Sequence, residues 1–146
     1  MTDGSLKLKA KDAEDAQVIS AVLQDAIVPV CDIIYRPAEK DFVMIAQRFC
    51  REGEGKDRGG CFERVRSAIH VKGVLGTQSQ GIDFTHATGM LDLLAVMPEE
   101  DGLQFVFAGG GRIRLKLADW LLVLEDFGAP WPTTHCPSHP GENPPA

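Results

Sequence analysis

Two runs of alternating side chains, separated by three glycines, constrain this chain more than any other feature. The first run covers residues 102–107 and the second covers residues 112–117. Alternation with a period of two gives a strand one apolar face and one polar face. The glycines at 109–111 tolerate the positive φ angles of a tight turn, so the segment predicts an antiparallel hairpin. In its second strand, Ile113, Leu115 and Leu117 would face a core, and Arg112, Arg114 and Lys116 would face solvent.

One amphipathic helix is predicted near the start of the chain. Asp12 is a typical N-cap residue, and acidic residues follow it in what would be the first turn. Apolar residues then recur at helical spacing up to Ile27, and Pro29 cannot continue a helix. The helix is therefore predicted over residues 13–27, with one stripe packed on an apolar surface.

The other apolar or alternating segments predict strands separated by short links. These segments are residues 6–9, 30–36, 42–49, 62–71, 74–80 and 90–97, with Gly73 as a break or a bend, and residues 51–60 form a charged, glycine-rich segment predicted to be a mobile loop. Residues 118–127 fit a strand better than a helix, although Gly128 and Pro130 would also suit a helix end.

About seven strands with short links favour pairing between neighbours, and a sheet of that size must curl or close. The sequence therefore predicts an α+β fold: a strongly curved antiparallel sheet or partly closed β-barrel with one N-terminal amphipathic helix. If residues 118–127 were helical, a pleckstrin-homology-like roll with a C-terminal helix would be the alternative. Residues 1–128 would form a single globular domain, followed by a proline-rich tail at 129–146.

The composition of the chain bears on where in the cell the protein is expected. The chain has 146 residues and a net charge of −6, without an apolar run long enough to span a membrane or an apolar N-terminal segment typical of a signal peptide. None of its four cysteines forms a C-x-x-C pair, and because no export signal is predicted we expect them to be reduced thiols. We expect a soluble, cytoplasmic protein.

Three parts of the chain also resemble a known family. They are residues 6–30, the segment Phe-Ala-Gly-Gly-Gly-Arg-Ile-Arg-Leu at 107–115, and the segment Leu-Glu-Asp-Phe-Gly-Ala-Pro-Trp-Pro at 124–132. Together they resemble a family of small, mainly alphaproteobacterial proteins catalogued as a domain of unknown function, over the chain to about residue 137. The resemblance implies a bacterial cytoplasmic protein, and it implies no activity, cofactor or catalytic residue.

No motif in the sequence predicts a catalytic, cofactor or metal site. The glycines at 109–111 join two strands, whereas a phosphate-binding loop leads from a strand into a helix. His135, Cys136 and His139 approach metal-ligand spacing, but they lie in the predicted tail without a second cluster. The acids near predicted turns, expected mostly to be solvated, are Asp32, Asp41, Asp92, Asp119 and Asp126.

Cations gathered on the polar faces of two strands are the one candidate site. An acidic chain would not be expected to segregate cations in this way, and a basic stripe would form if the strands lay side by side. We therefore predict a non-enzymatic interaction or ligand-binding module for an acidic protein or a phosphorylated ligand. Nucleic acid is disfavoured because stacking aromatics are missing from these faces. The predicted stripe consists of Arg64, Arg66, Lys72, Arg112, Arg114 and Lys116.

Three other interpretations stay open at this point. The cations could simply pair with Glu and Asp on adjacent strands. The protein could be a small enzyme with a pocket at the open end of the sheet, where His70 or His86 meets two carboxylates. It could also be a structural protein that forms homo-oligomers by pairing of edge strands.

Overall fold

Eight strands and one helix make up the part of the chain that the computed structural model describes, residues 6–50, 62–86 and 88–133. The strands are β1 (Lys7–Ala10), β2 (Ala26–Pro29), β3 (Ile33–Arg36), β4 (Asp41–Cys50), β5 (Phe62–Gln80), β6 (Met90–Glu99), β7 (Gly102–Phe107) and β8 (Arg112–Thr133). The helix, α1, spans Ala13–Leu23, and short 3-10 turns follow β2, β3 and β7. The predicted α+β class is confirmed, with one strand more than expected.

The strand pairings are antiparallel and run around a ring. Hydrogen-bonded neighbours follow the order β1, β8, β5, β4, β2, β6 and β7, and β7 pairs again with β8. The junction of β2 with β4 is thin, since its register in the described residues consists of Ile27 opposite Gln47. Because this junction is so thin, the ring of strands is not a barrel. Of the two predicted forms, the strongly curved sheet is therefore the one observed.

A long, bent ribbon of β5 and β8 forms the centre of the sheet, with strands of 19 and 22 residues. The register shifts at Gly73, whose φ of +88° bends β5 without ending it. The first part of β8 pairs with β7 on one side and with residues 74–80 of β5 on the other, whereas its later part pairs with residues 62–72 and with β1. Residues 118–127 are therefore strand, and the pleckstrin-homology-like alternative is wrong.

The helix begins as predicted and ends earlier. The Asp12 carboxylate accepts a hydrogen bond from the backbone N–H of Asp15 at 2.8 Å, which confirms the N-cap. The predicted end at Ile27 is wrong because Asp25 has a φ of +73° and the chain then enters β2. Ala26 and Ile27 fit the helical stripe, but β2 pairs them with β6 instead.

Apolar side chains from the helix and from the inner face of the sheet fill the core. In β8, Ile113, Leu115 and Leu117 are 2%, 1% and 7% exposed, so the alternation places them inside as predicted. Phe42 of β4 and Phe105 of β7 stack within this core, with ring centroids 5.8 Å apart.

Several predictions fall on residues outside the described ranges. They include the loop at 51–60 and the residues His135, Cys136 and His139. β8 extends past residue 128 to Thr133, and the division into a domain and a tail stays a prediction. Within the described residues, no helix is long and apolar enough to cross a membrane.

Candidate functional site

The three cations of the first part of β8 lie side by side on the outer face of the sheet. Arg112, Arg114 and Lys116 are exposed and alternate with buried leucine and isoleucine side chains. Since register partners in adjacent strands share a face, β5 and β7 supply neighbours to each cation. Gln80 and Val106 flank Arg112, Gln78 and Gln104 flank Arg114, and Gly76 and Gly102 flank Lys116.

Small residues and amides around these cations leave a groove, which we call the polar groove. One part has a volume of about 510 Å³ and an adjoining part about 340 Å³. The two parts share Gln78 and Arg114, so they form one continuous depression across β5, β8 and β7. Its lining residues are Gly76, Thr77, Gln78, Ser79, Gln80, Asp101, Gln104, Arg112, Arg114, Leu115 and Lys116.

Only part of the positive charge in the polar groove is neutralised by neighbouring side chains. The Nε atom of Arg114 lies 3.0 Å from a carboxylate oxygen of Glu99. Arg112 instead donates a hydrogen bond of 3.3 Å to the neutral side-chain oxygen of Gln104. Among the described residues, neither Arg112 nor Lys116 forms an ion pair with a carboxylate. Two of its three cations are therefore without an ion-pair partner among the described residues, although the Asp101 carboxylate also lines the groove.

Arg64 does not belong to an exposed basic stripe as predicted, because its side chain is buried. It is 7% exposed, and its guanidinium donates hydrogen bonds to the backbone oxygens of Gln47 (3.0 Å) and Asp25 (3.5 Å). The same guanidinium lies over the ring of Phe49, 5.4 Å from its centroid. These contacts join β5 to β4 and to the residue before β2, beside the thin junction of the ring. Arg64 therefore stabilises the fold there.

Arg66 and Lys72 are exposed, but they lie on other parts of the ribbon. Arg66 is opposite Phe127 of β8, and its guanidinium is 5.9 Å from the ring centroid of Trp131. Lys72 is opposite Leu121. Neither lies beside Arg112, whose register partner in β5 is Gln80 at the other end of the strand. The six predicted residues therefore do not form one continuous stripe.

A second basic area, which the sequence did not reveal, lies on the middle of the ribbon. We call it the lysine groove; it has a volume of about 300 Å³. It combines cations from β1 and β5, which become neighbours because β1 pairs with β8 near the other end of the chain. The alternation of Lys7 and Lys9 was the available signal, but nothing local identified β8 as their partner. The lining residues are Lys7, Lys9, Ala68, His70, Lys72, Leu121, Val123 and Glu125.

His70, which lines the lysine groove, is held by a carboxylate from β4. Its Nε2 atom lies 3.1 Å from Oδ2 of Asp41, and Arg36 donates two hydrogen bonds of 2.9 and 2.7 Å to the same carboxylate. The pKa of Asp41 is lowered, chiefly by its hydrogen bond with Arg36. The other carboxylate at this groove, Glu125, lies 3.8 Å from the ammonium of Lys7.

The acids predicted near turns do not converge on one point. In the described part of the chain, no group of three His, Cys, Asp or Glu side chains is placed to hold a metal ion. Asp41 and Asp126 are buried at 6% and 7% exposure, so these two are exceptions to the expectation that most of the acids would be solvated or turn-forming. Each is paired with an arginine, Asp41 with Arg36 and Asp126 with Arg48.

Comparison with known protein families finds a match over most of the chain. A family model described as "Protein of unknown function (DUF2948)" matches residues 6–139. No curated protein and no solved structure matches the chain.

Proposed function

Because the chain belongs to the DUF2948 family, whose description names no activity, we propose its function from its own surface: it is a non-enzymatic module that binds an acidic segment of a partner protein in the polar groove. The observation that carries this proposal is that Arg112 and Lys116, on either side of Arg114, form no ion pair with a carboxylate among the described residues. A carboxylate-rich segment would compensate both charges.

The amides around the cations support an acidic partner. Gln78 and Gln104 flank Arg114 in the adjacent strands, and Gln80 flanks Arg112. Arginine guanidinium and glutamine amide groups both donate hydrogen bonds to carboxylate oxygens. Since the chain as a whole carries a net charge of −6, a basic groove on an acidic protein would also orient a charged partner before contact.

The neighbours of the cations argue against a nucleic-acid surface. Binding of single-stranded nucleic acid uses aromatic side chains on which the bases stack. In the polar groove, the residues beside Arg114 are glutamines and those beside Lys116 are glycines instead. A phosphorylated ligand stays a possible occupant by charge, and the experiment below distinguishes it.

Fluorescence anisotropy with a labelled hexaglutamate peptide at low ionic strength tests the proposal. The triple variant Arg112→Gln, Arg114→Gln, Lys116→Gln should bind the peptide at least about tenfold more weakly, because each lost charge pair contributes up to about 1 kcal/mol at an exposed site. The control variant Lys11→Gln, Lys40→Gln, Arg66→Gln loses the same charge elsewhere on the surface and should stay within about threefold of the wild type.

Two results would contradict the proposal. One is an equal loss of affinity in both triple variants, which would reflect net charge alone. The other is unchanged affinity in the groove variant. Competition by inorganic phosphate, but not by acetate at equal ionic strength, would favour a phosphorylated ligand over an acidic protein segment.

The remaining interpretations stay predictions. For the enzyme, His70 contacts Asp41, but that carboxylate is already bound by Arg36. For self-association, β1 and β3 each pair with one strand in the described residues, and Lys7 and Lys9 on β1 are typical of an edge protected against pairing. Light scattering tests the oligomer. A bacterial origin and a cytoplasmic location are likewise predictions.

A further inference from the structure

The lysine groove has the layout of a small binding site, with an apolar strip between the lysines of β1 on one side and a histidine and a lysine of β5 on the other. Leu121 and Val123 of β8 are half-exposed and run along its centre. β1 lies on one side of this strip and places Lys9 opposite Val123. β5 lies on the other side and places His70 opposite Val123 and Lys72 opposite Leu121. Because register partners share a face, all these side chains project from the same surface.

The two lysines nearest the centre of the strip carry uncompensated charge. Within the described residues, neither Lys9 nor Lys72 forms an ion pair, and both are exposed. Asp41 is the register partner of Lys72 in β4, but both of its oxygens are taken by Arg36 and His70. The outer lysine, Lys7, is paired with Glu125 at the end of the groove.

His70 adds a third polar group whose orientation is fixed. Its Nε2 atom contacts Asp41, so in the neutral ring that donates Nε2–H to this carboxylate, Nδ1 is a hydrogen-bond acceptor for a donor group of a ligand. Asp41 is itself held by two hydrogen bonds from Arg36, so the imidazole ring is anchored from behind by a chain of side chains. Orientation of a binding group by such outer contacts lowers the entropy lost when a ligand binds.

We propose that the lysine groove binds a small organic anion. Its carboxylate or phosphate group is held by Lys9 and Lys72, and its apolar body lies on Leu121 and Val123. The volume of about 300 Å³ is at the lower end for small-molecule sites, and an apolar floor with a few placed polar groups is typical of them. The proposal is independent of the polar groove, because the two grooves share no lining residue.

Amide chemical-shift mapping of the isotope-labelled full chain tests the proposal with four probes that differ in whether they carry a ring and a charge. Phenyl phosphate and benzoate carry both a ring and a charge, inorganic phosphate lacks the ring, and benzyl alcohol lacks the charge. We expect shifts at residues 7–9, 68–72 and 121–125. One of the two aromatic anions should bind about tenfold more tightly than inorganic phosphate, which corresponds to burying on the order of 60 Å² of apolar surface. The comparison of phenyl phosphate with benzoate identifies the preferred head group.

Matched variants locate the site. Lys9→Gln, Lys72→Gln should weaken binding of the better aromatic anion at least about fivefold, and Lys11→Gln, Lys40→Gln is the control with the same charge change. All four lysines are exposed, so both variants keep the fold. The polar-groove triple variant should bind the anion as the wild type does, which separates this proposal from the preceding one.

Four outcomes would overturn the proposal. The shifts could map outside the lysine groove, or the Lys9→Gln, Lys72→Gln variant could bind as tightly as its control. Alternatively, benzyl alcohol could bind as tightly as the aromatic anions, which would mean that the lysines do not select an anion. Tighter binding of the hexaglutamate peptide than of every organic anion in this groove would also overturn it, in favour of a protein partner.

Discussion

The carboxylate of Asp126 accepts two hydrogen bonds from the guanidinium of Arg48, at 3.1 and 2.7 Å, and both side chains are almost completely buried. The Ser67 hydroxyl donates to the same carboxylate at 2.6 Å, and so does the backbone N–H of Leu6 at 3.0 Å. This cluster joins β4, β5 and β8 to the residue that leads into β1. Both grooves are built on the ribbon of β5 and β8, so the cluster supports the surface on which they lie.

Removal of the arginine should strongly destabilise the protein. Arg48→Met leaves the Asp126 carboxylate buried without its charged partner, and such a change costs about 3–5 kcal/mol. Urea unfolding followed by circular dichroism measures the free energy of unfolding. The double variant Arg48→Met, Asp126→Leu is the matched control and should recover part of the loss, because no unpaired charge is left. Equal stability of Arg48→Met and the wild type would contradict the assigned role of the pair.

Acid should destabilise the protein through Asp126. Burial alone would raise the pKa of Asp126, but hydrogen bonds from Arg48 and Ser67 outweigh it, so the pKa lies below its ordinary value of about 3.9. A carboxyl whose pKa is lower in the folded state stabilises the fold above the unfolded pKa, and this stability is lost as pH falls through the folded pKa. Asp41 acts in the same direction through Arg36.

The measurement is the free energy of unfolding between pH 7 and pH 2 for the wild type and for Asp126→Asn. The variant should be less stable than the wild type at pH 7, and the difference should shrink as pH falls below about 4, since protonation then removes the charge from the wild type too. A difference that stays constant down to pH 2 would be inconsistent with a lowered pKa.

The bend in β5 lies at a position that only glycine can occupy without strain. Gly73 has a φ of +88°, and a Cβ atom there would lie 2.4 Å from the backbone oxygen of Ala118. Gly73→Ala should therefore cost at least about 2 kcal/mol, from backbone strain plus this collision. Gly109 is the control: its φ is +87°, but a Cβ there would meet no atom within 4 Å, so Gly109→Ala should cost only the strain of about 1 kcal/mol. Thermal unfolding compares them, and equal losses would rule out the collision.

Two arginines from the predicted stripe should respond differently to the same change. Arg64→Gln removes charged hydrogen bonds to the carbonyls of Gln47 and Asp25 in a buried position, at a cost of about 2 kcal/mol. Arg66→Gln changes an exposed side chain that contacts Trp131, and should cost less than about 1 kcal/mol. Urea unfolding of both variants is the test, and a larger loss for Arg66→Gln would contradict the structural role of Arg64.

What the sequence predicted depended on local patterns. The alternation of Arg112 with Ile113 identified both faces of β8 correctly, because a half-buried strand imposes that period directly. Arg64 also stands at an alternating position of β5. Alternation alone cannot reveal that its side chain is covered by contacts with β4. The end of α1 was misplaced because Ala26 fits the spacing of both a helical stripe and a strand.

The sequence did not predict the lysine groove, for a different reason. Lys9 and Lys72 lie on opposite sides of β8, and both are far from β8 in the sequence. Long-range pairing of this kind depends on how the whole sheet assembles, and no local propensity encodes it. The cluster of Asp126 and Arg48 is likewise assembled from distant strands. Sequence reasoning therefore gave the fold class and one half of the basic surface, and the arrangement of both grooves required the structure.

Amide chemical-shift mapping with the unlabelled hexaglutamate peptide tests the proposed function most directly. We predict that the largest shifts fall on residues 76–80, 102–106 and 112–116, that they disappear in the Arg112→Gln, Arg114→Gln, Lys116→Gln variant, and that they weaken as salt is raised. Shifts that spread evenly over exposed lysines and arginines, or that persist unchanged in the triple variant, would contradict the assignment of the polar groove as the binding surface.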